Sequence, residues 1–481
     1  MQEKETKWKM SLLLFSIYLC FFIFLTSCDT DKNRGIPEFQ DESADVTPGN
    51  ISDSLVARIY FDATLSMQGF VVPSSTRYTQ ICPYLESVIV SGWEDEKIDF
   101  FRFGEQVEPI DRNGYLQAGH ADFYEQENIY RETFIQKIID YEDQRADDQI
   151  DTNSTPEAST GIEVDITPEA STEVAVSTEE IEDRREEGEL VVIVTDLFQD
   201  RGDINLLVAQ LKEKYIQNGL EVGLLGLRSQ FDGTVYDTGI GQAPLPYQSD
   251  PNNSETFRPF YLLVLGKHTN IAHYFDKLIT SGFSEAETVI FSRYLVSPLL
   301  SFGDAQIEKL ENLVRDTIAK KPDSRLKEYR IRERNEPSKI SAKMKYELLP
   351  YVMPFDSNTF EPSADVDHNR TDSSRRSEIS QAAQNCLEVT STFGNGDELI
   401  VDFELDSRVL ARETAYLYKV ALHPRIDTYQ VPEWCSEWDM GTGRNGAKTL
   451  NLVNFVDGLT QITVREHQPK IAQFYFCVEK R

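Results

Sequence analysis

Among 481 residues there are only six cysteines and six histidines, and no two of either kind show metal-ligand spacing. Without a C-x-x-C pair the sequence gives no support to a zinc site. His268 and His273 stand five apart and read as surface residues. Neither a G-x-S-x-G elbow nor a Walker-type loop occurs, which removes the usual signatures of an esterase-type hydrolase and of a P-loop nucleotidase. Basic charge is scarce as well. With 48 Lys and Arg against 81 Asp and Glu, the formal net charge is −33. A field of that sign repels nucleic acid and anionic lipid, and favours cations and basic partners.

What is present begins with a three-part N-terminus. Lys4, Lys7 and Lys9 form a basic start, and an apolar run extends from Met10 to about Leu25. Leu25-Thr26-Ser27-Cys28 follows. The apolar run is short for a stable membrane span and suits the core of a signal peptide. Its ending resembles the lipobox of bacterial lipoproteins. That resemblance implies cleavage after residue 27, acylation of Cys28 and a protein anchored by lipid at the extracytoplasmic face of a membrane. An uncleaved N-terminal anchor is the alternative. Beyond Cys20 and Cys28, four cysteines remain: Cys82, Cys386, Cys435 and Cys477. The last three are placed to staple a C-terminal β domain by one disulfide, leaving Cys82 as a buried thiol.

Residues 28–52 are polar and read as a flexible tether. From Val56 the chain alternates apolar strands with amphipathic helices. Strands are expected at 56–61, 97–103, 107–110, 190–195, 220–227 and 260–265, and helices at 75–90, 129–141, 203–215 and 270–280. This pattern predicts an α/β fold, a doubly wound and mostly parallel sheet covered on both faces, over residues 54–282. Residues 142–189 interrupt it with 17 acidic and three basic side chains, no aromatic residue and the hexapeptide TPEAST twice. Such a segment buries too little apolar surface to offset its ordering entropy and reads as a disordered acidic insertion. A helical connector is expected over 283–326, with one helix at 304–320. A β-sandwich-like domain is expected over 327–481, with strands at 399–405, 416–422, 461–464 and 473–478 and a mobile loop at 356–380. Trp434, Cys435 and Trp438 read as core packing within it.

Three points of the first region carry the chemistry. Asp62, Thr64 and Ser66 follow the first strand, Thr133 begins a helix, and Asp196 ends the strand after the acidic insertion. Open α/β sheets gather ligands at the carboxyl ends of their strands. Carboxylates and hydroxyls without Cys or His suit a hard cation in oxygen coordination. Here the sequence resembles the von Willebrand factor A domain, whose metal-ion-dependent adhesion site uses D-x-S-x-S, a later Thr and a later Asp. The first element reads D-A-T-L-S, so Thr64 keeps the hydroxyl of the middle Ser. Where that family often has Gly after the later Asp, this chain has Leu197.

The resemblance implies that Thr64 and Ser66 ligate Mg²⁺ (or Mn²⁺ or Ca²⁺), that Asp62 and Asp196 act directly or through water, and that Thr133 joins in some states. One coordination position then stays open for a carboxylate of a partner protein. The expected function is therefore that of a non-enzymatic, membrane-tethered binding protein. Two alternatives stand beside it: a metal-assisted envelope hydrolase, for which Asp99 or Glu105 would have to serve as base, and a structural envelope component with a non-functional site. A haloacid-dehalogenase-type phosphatase wants a second Asp two residues after the first, where this chain has Thr64.

Overall fold

A computed structural model describes residues 48–124, 133–153, 188–197, 204–236, 238, 243–316, 326–356, 360–370, 376–393 and 398–481. The signal segment, Cys28, residues 28–47 of the tether and residues 154–187 of the acidic insertion lie outside them. Among the described residues no helix is long and apolar enough to cross a membrane.

The α/β part is built on nine strands: β1 (Ser54–Asp62), β2 (Asp95–Phe103), β3 (Val107–Ile110), β4 (Glu189–Thr195), β5 (Glu221–Ser229), β6 (Asp232–Val235), β7 (Leu245–Gln248), β8 (Arg258–Gly266) and β9 (Glu287–Phe291). β6 and β7 form a separate hairpin; the other seven make one sheet in the order β3-β2-β1-β4-β8-β5-β9. β1 pairs in parallel with both β2 and β4. β8 runs antiparallel between β4 and β5, and β9 runs antiparallel at the far edge. The sheet is therefore mixed, where a mostly parallel one was expected. Apolar composition marks the 260–265 strand clearly but carries no information on its direction.

Because side chains alternate across a strand, each central strand feeds two cores. Ile59, Phe61, Val192, Val194, Leu262 and Val264 face one side. Tyr60, Val191, Ile193, Tyr261 and Leu263 face the other. The helices are α1 (Leu65–Gln68), α2 (Arg77–Gly92), α3 (Arg112–Leu116), α4 (Gln136–Asn153), α5 (Ile204–Lys214) and α6 (His268–Thr280). α2 and α6 cover the first face; α5 and the first turn of α4 cover the second.

α4 corrects two expectations. It starts at Gln136 and runs on to Asn153, so the first twelve residues of the expected disordered segment are helical. Its anchor is Glu142, which pairs with the buried Arg58 at 2.7 Å and accepts a hydrogen bond from Tyr60. His268 is not a surface residue either: it is 1% exposed, whereas His273 is half-buried, with Nε2 3.1 Å from the Gly92 carbonyl oxygen.

Among the described residues of 283–326 no helix forms, so neither the expected connector nor its helix at 304–320 is found there. β9 closes the first sheet, and the chain then forms β10 (Gln306–Glu311) and β11 (Leu313–Arg315). The helical spacing of Ile307 and Leu310 has another cause. A bulge between Ile307 and Lys309 inserts one residue, so positions three apart point to the same face of a strand.

The remaining strands are β12 (Leu326–Ile331), β13 (Ser338–Lys345), β14 (Phe360–His368), β15 (Leu387–Phe393), β16 (Glu398–Leu405), β17 (Thr414–Pro424) and β18 (Ala472–Lys480). They form two sheets, β10-β13-β16-β15 and β11-β12-β18-β17-β14. Phe302, Phe403, Phe474 and Phe476 pack into one core between them. The expected loop at 356–380 contains β14 and the first half of α7 (Arg376–Asn385). β14 is an edge strand in which Phe360, Ala364 and Val366 face the core and alternate with Glu361, Ser363, Asp365 and Asp367. With Pro362 and the small Ala364 on the inner face, its apolar content is too low to stand out from the polar stretch around it. The four described cysteines are buried free thiols, so the expected disulfide is absent.

Between β17 and β18 the chain leaves this β region and returns to the first sheet as α8 (Glu433–Trp438) and α9 (Leu452–His467). Trp434, Cys435, Trp438, Phe455, Val456 and Leu459 belong to the same core as Leu207, Leu224 and Tyr261. The expected strand at 461–464 is the last part of α9. The tryptophan cluster is core, as expected, but the core is that of the α/β sheet.

Candidate functional site

β1 and β4 lie side by side, and β2 and β3 extend from β1 in the opposite direction, so the strand order reverses between β1 and β4. Loops leaving adjacent strands at such a point diverge and open a crevice at the carboxyl ends. Asp62 is the last residue of β1, and Asp196 is the first residue after β4.

All five residues expected at the site meet there, and each is at most 4% exposed. Thr64 Oγ1 is the centre of the group. It donates to Asp62 Oδ1 at 2.7 Å and lies 3.0 Å from Ser66 Oγ and 2.9 Å from Thr133 Oγ1. Ser66 Oγ donates to Asp196 Oδ1 at 3.3 Å, and Thr133 Oγ1 reaches Asp62 Oδ1 at 3.5 Å. Thr64 occupies the N-cap position of α1, yet its side chain makes no capping bond. Helix capping therefore does not account for that hydroxyl.

Thr195 was not singled out by sequence. Its hydroxyl donates to Asp62 Oδ2 at 3.1 Å and accepts from the Leu197 amide at 3.1 Å. Leu197 has φ +60°, a left-handed conformation that favours glycine and costs a leucine about 1–2 kcal/mol. The Leu for Gly departure thus falls where the backbone would favour Gly, and the side chain is kept in place by burial.

Burial first, and the neighbouring Asp196 carboxylate second, hold Asp62 above the ordinary carboxylate range; hydrogen bonds from Thr64 and Thr195 work against the shift. Two carboxylates and three hydroxyls, with no nitrogen or sulfur among them, form a donor set suited to a hard divalent cation. Only two of the five are Asp, and among the described residues no group of three or more His, Cys, Asp or Glu is placed to hold a metal. Coordination here would depend on the hydroxyls.

The second unexpected member is Arg258. Its Nη2 donates to Asp196 Oδ2 at 3.2 Å, and both side chains are 1% exposed. β8 begins with Arg258 and runs antiparallel to β4, in register Thr195 with Tyr261, so its first residues lie beside the end of β4. Had β8 run parallel, its first residue would lie roughly 20–25 Å away at the other edge of the sheet. No local pattern in the sequence reports that direction.

A groove of about 640 Å³ lies elsewhere, against β2 and β3, and Asp99 is among its lining residues. Asp99 pairs with Arg145 at 3.3 Å and stands opposite Arg58, four residues before Asp62 on β1. That separation is roughly 13 Å along the strand. Glu105 is exposed in the turn after β2. Neither expected base belongs to the oxygen cluster.

The chain matches no family model, no curated protein and no solved structure.

Proposed function

We propose that this is a lipid-anchored, extracytoplasmic binding protein whose α/β region, resembling a von Willebrand factor A domain, holds a divalent cation with Asp62, Thr64, Ser66, Thr133 and Asp196. The cation, Mg²⁺ or Mn²⁺, would then meet a carboxylate of a partner protein. The observation that carries this reading is convergence. Three segments separated by up to 130 residues bring their oxygens into one buried, hydrogen-bonded group at the switch point of the sheet. Arg258 offsets the charge of one of the two adjacent buried carboxylates, and a divalent ion would supply further counter-charge for the pair.

The test is calorimetric titration of Mg²⁺ and Mn²⁺ into residues 48–481, wild type beside Asp62→Ala, with circular dichroism to establish that both fold. The whole stretch is needed because α8 and α9 cover one face of the first sheet. Saturable one-site binding lost in Asp62→Ala supports the reading; equal affinity in the two proteins ends it.

One observation favours a second reading, a structural component whose site takes no external ligand. Arg258 already neutralises part of the charge on Asp196 under a covering loop. Partner capture that persists in chelator would support it.

A further inference from the structure

The same arginine connects the oxygen cluster to the distant C-terminal region. Arg258 Nη1 donates to the carbonyls of Gly446 at 3.3 Å and Lys448 at 3.1 Å, while Nη2 holds Asp196. Its guanidinium stands over the Phe231 ring at 5.6 Å, and its buried Nε has no hydrogen-bond partner among the described residues. The strap it grips, residues 439–449, is pinned at several further points. Thr449 Oγ1 meets Tyr261 Oη at 2.9 Å, and Arg444 donates to the Ala243 carbonyl at 2.6 Å. Gly446 lies so close to Tyr247 that a Cβ there would stand 2.2 Å from the ring.

The charges of the group do not balance for a resting metal. Asp62 and Asp196 bring two negative charges and Arg258 one positive, leaving −1. A divalent ion would turn this into +1, with the guanidinium and the ion attracted to the same carboxylate. In a site closed to water, like charges a few ångströms apart repel far more strongly than at the surface.

We propose that Arg258 is the resident counter-cation of this site, competing with the divalent ion for Asp196 and thereby coupling ion affinity to the seating of the 439–449 strap. In the latched form the ion binds weakly. Withdrawal of the guanidinium leaves Asp196 to the ion and raises its affinity. The net +1 of the loaded, latched site also explains why an anionic group would be needed to complete it. This inference rests on the metal-site reading above.

The experiment is Mn²⁺ titration calorimetry on residues 48–481 carrying Arg258→Met, beside wild type, Asp62→Ala and Arg258→Lys. Arg258→Met is expected to bind Mn²⁺ at least about tenfold tighter than wild type, and Arg258→Lys, which keeps the charge, to stay within about threefold of it. Arg258→Gln, which keeps a donor for Asp196, takes the place of Arg258→Met if the latter does not fold. Binding by the neutral variant alone, with none by wild type, supports the inference most directly. Equal or weaker binding by the neutral variant, while wild type binds in an Asp62-dependent way, overturns the role of Arg258 and leaves the metal site standing. No binding by any protein overturns both.

Discussion

Thr64 and Thr133 are 69 residues apart in the chain, and their hydroxyl oxygens lie 2.9 Å apart in a site closed to solvent. Thr64 sits on the loop leaving β1, and Thr133 just ahead of α4. Their contact joins the two segments at the carboxyl end of β1. Since a hydroxyl carries one proton, Thr64 can donate to Asp62 while accepting from Thr133, and Ser66 directs its own proton to Asp196.

Replacing Thr133 by Val keeps shape and removes the hydroxyl. We expect about 1 kcal/mol of lost stability from the missing hydrogen bond and roughly tenfold weaker Mn²⁺ binding, both restored by Thr133→Ser. Urea denaturation and calorimetry read the two effects separately. A Val variant that binds like wild type removes Thr133 from the ligand set.

Arg58 is 6% exposed and depends on Glu142 and, at 3.2 Å, Glu189 for its charge balance. Glu142→Ala leaves the guanidinium with one partner and frees the Tyr60 hydroxyl. A loss of about 2–3 kcal/mol is expected, seen as a lower urea midpoint at unchanged slope. Exchange of the α4 amides with solvent should rise with it, because Glu142 ties that helix to the sheet.

Two buried groups tilt stability against pH in opposite directions. Burial pushes Glu221 up to about 8, against the attraction of Arg293, so the unfolded chain loses this proton first. Its contribution is complete below the unfolded value of 4.5 and is lost as pH rises through about 8. Burial pushes His268 down to about 4, so its contribution is complete above 6.5 and is lost as pH falls toward 4. Glu221→Gln should therefore be more stable than wild type at pH 8 and alike at pH 4. Thermal melts across that range check it, and an unchanged difference between the two proteins at every pH would refute it.

A Cβ at Gly226 would stand 2.7 Å from Trp438 Cζ3. Gly226→Ala should push α8 away from the sheet at a cost of about 1–3 kcal/mol. For the same reason a fragment ending near residue 285 should expose the apolar face that α8 and α9 cover. Strong binding of a hydrophobic dye by that fragment, and weak binding by residues 48–481, is the expected result.

Much of the site was legible because its residues occupy strand ends, and strand ends show in local composition. Val56–Phe61 and Leu190–Thr195 are apolar runs that stop at Asp62 and Asp196. Buried central strands of this kind need no distant information to be recognised. The hydroxyls of Thr64 and Ser66 follow within four residues of Asp62. Less of the C-terminal half was legible. Ile462 and Val464 read as a strand because four residues cannot display a helical period; the face formed by Leu452, Phe455, Val456 and Leu459 becomes evident over the whole of α9.

Sequence alone thus determined which segments form the central strands and which oxygens end them, since both follow from side-chain chemistry within a few residues. Only the tertiary structure decided that β8 runs antiparallel, that Arg258 therefore reaches Asp196, and that a strap from residues 439–449 closes over the pair. Direction in a sheet and contact across 188 residues depend on how the chain as a whole buries its apolar faces, which no short window of sequence contains.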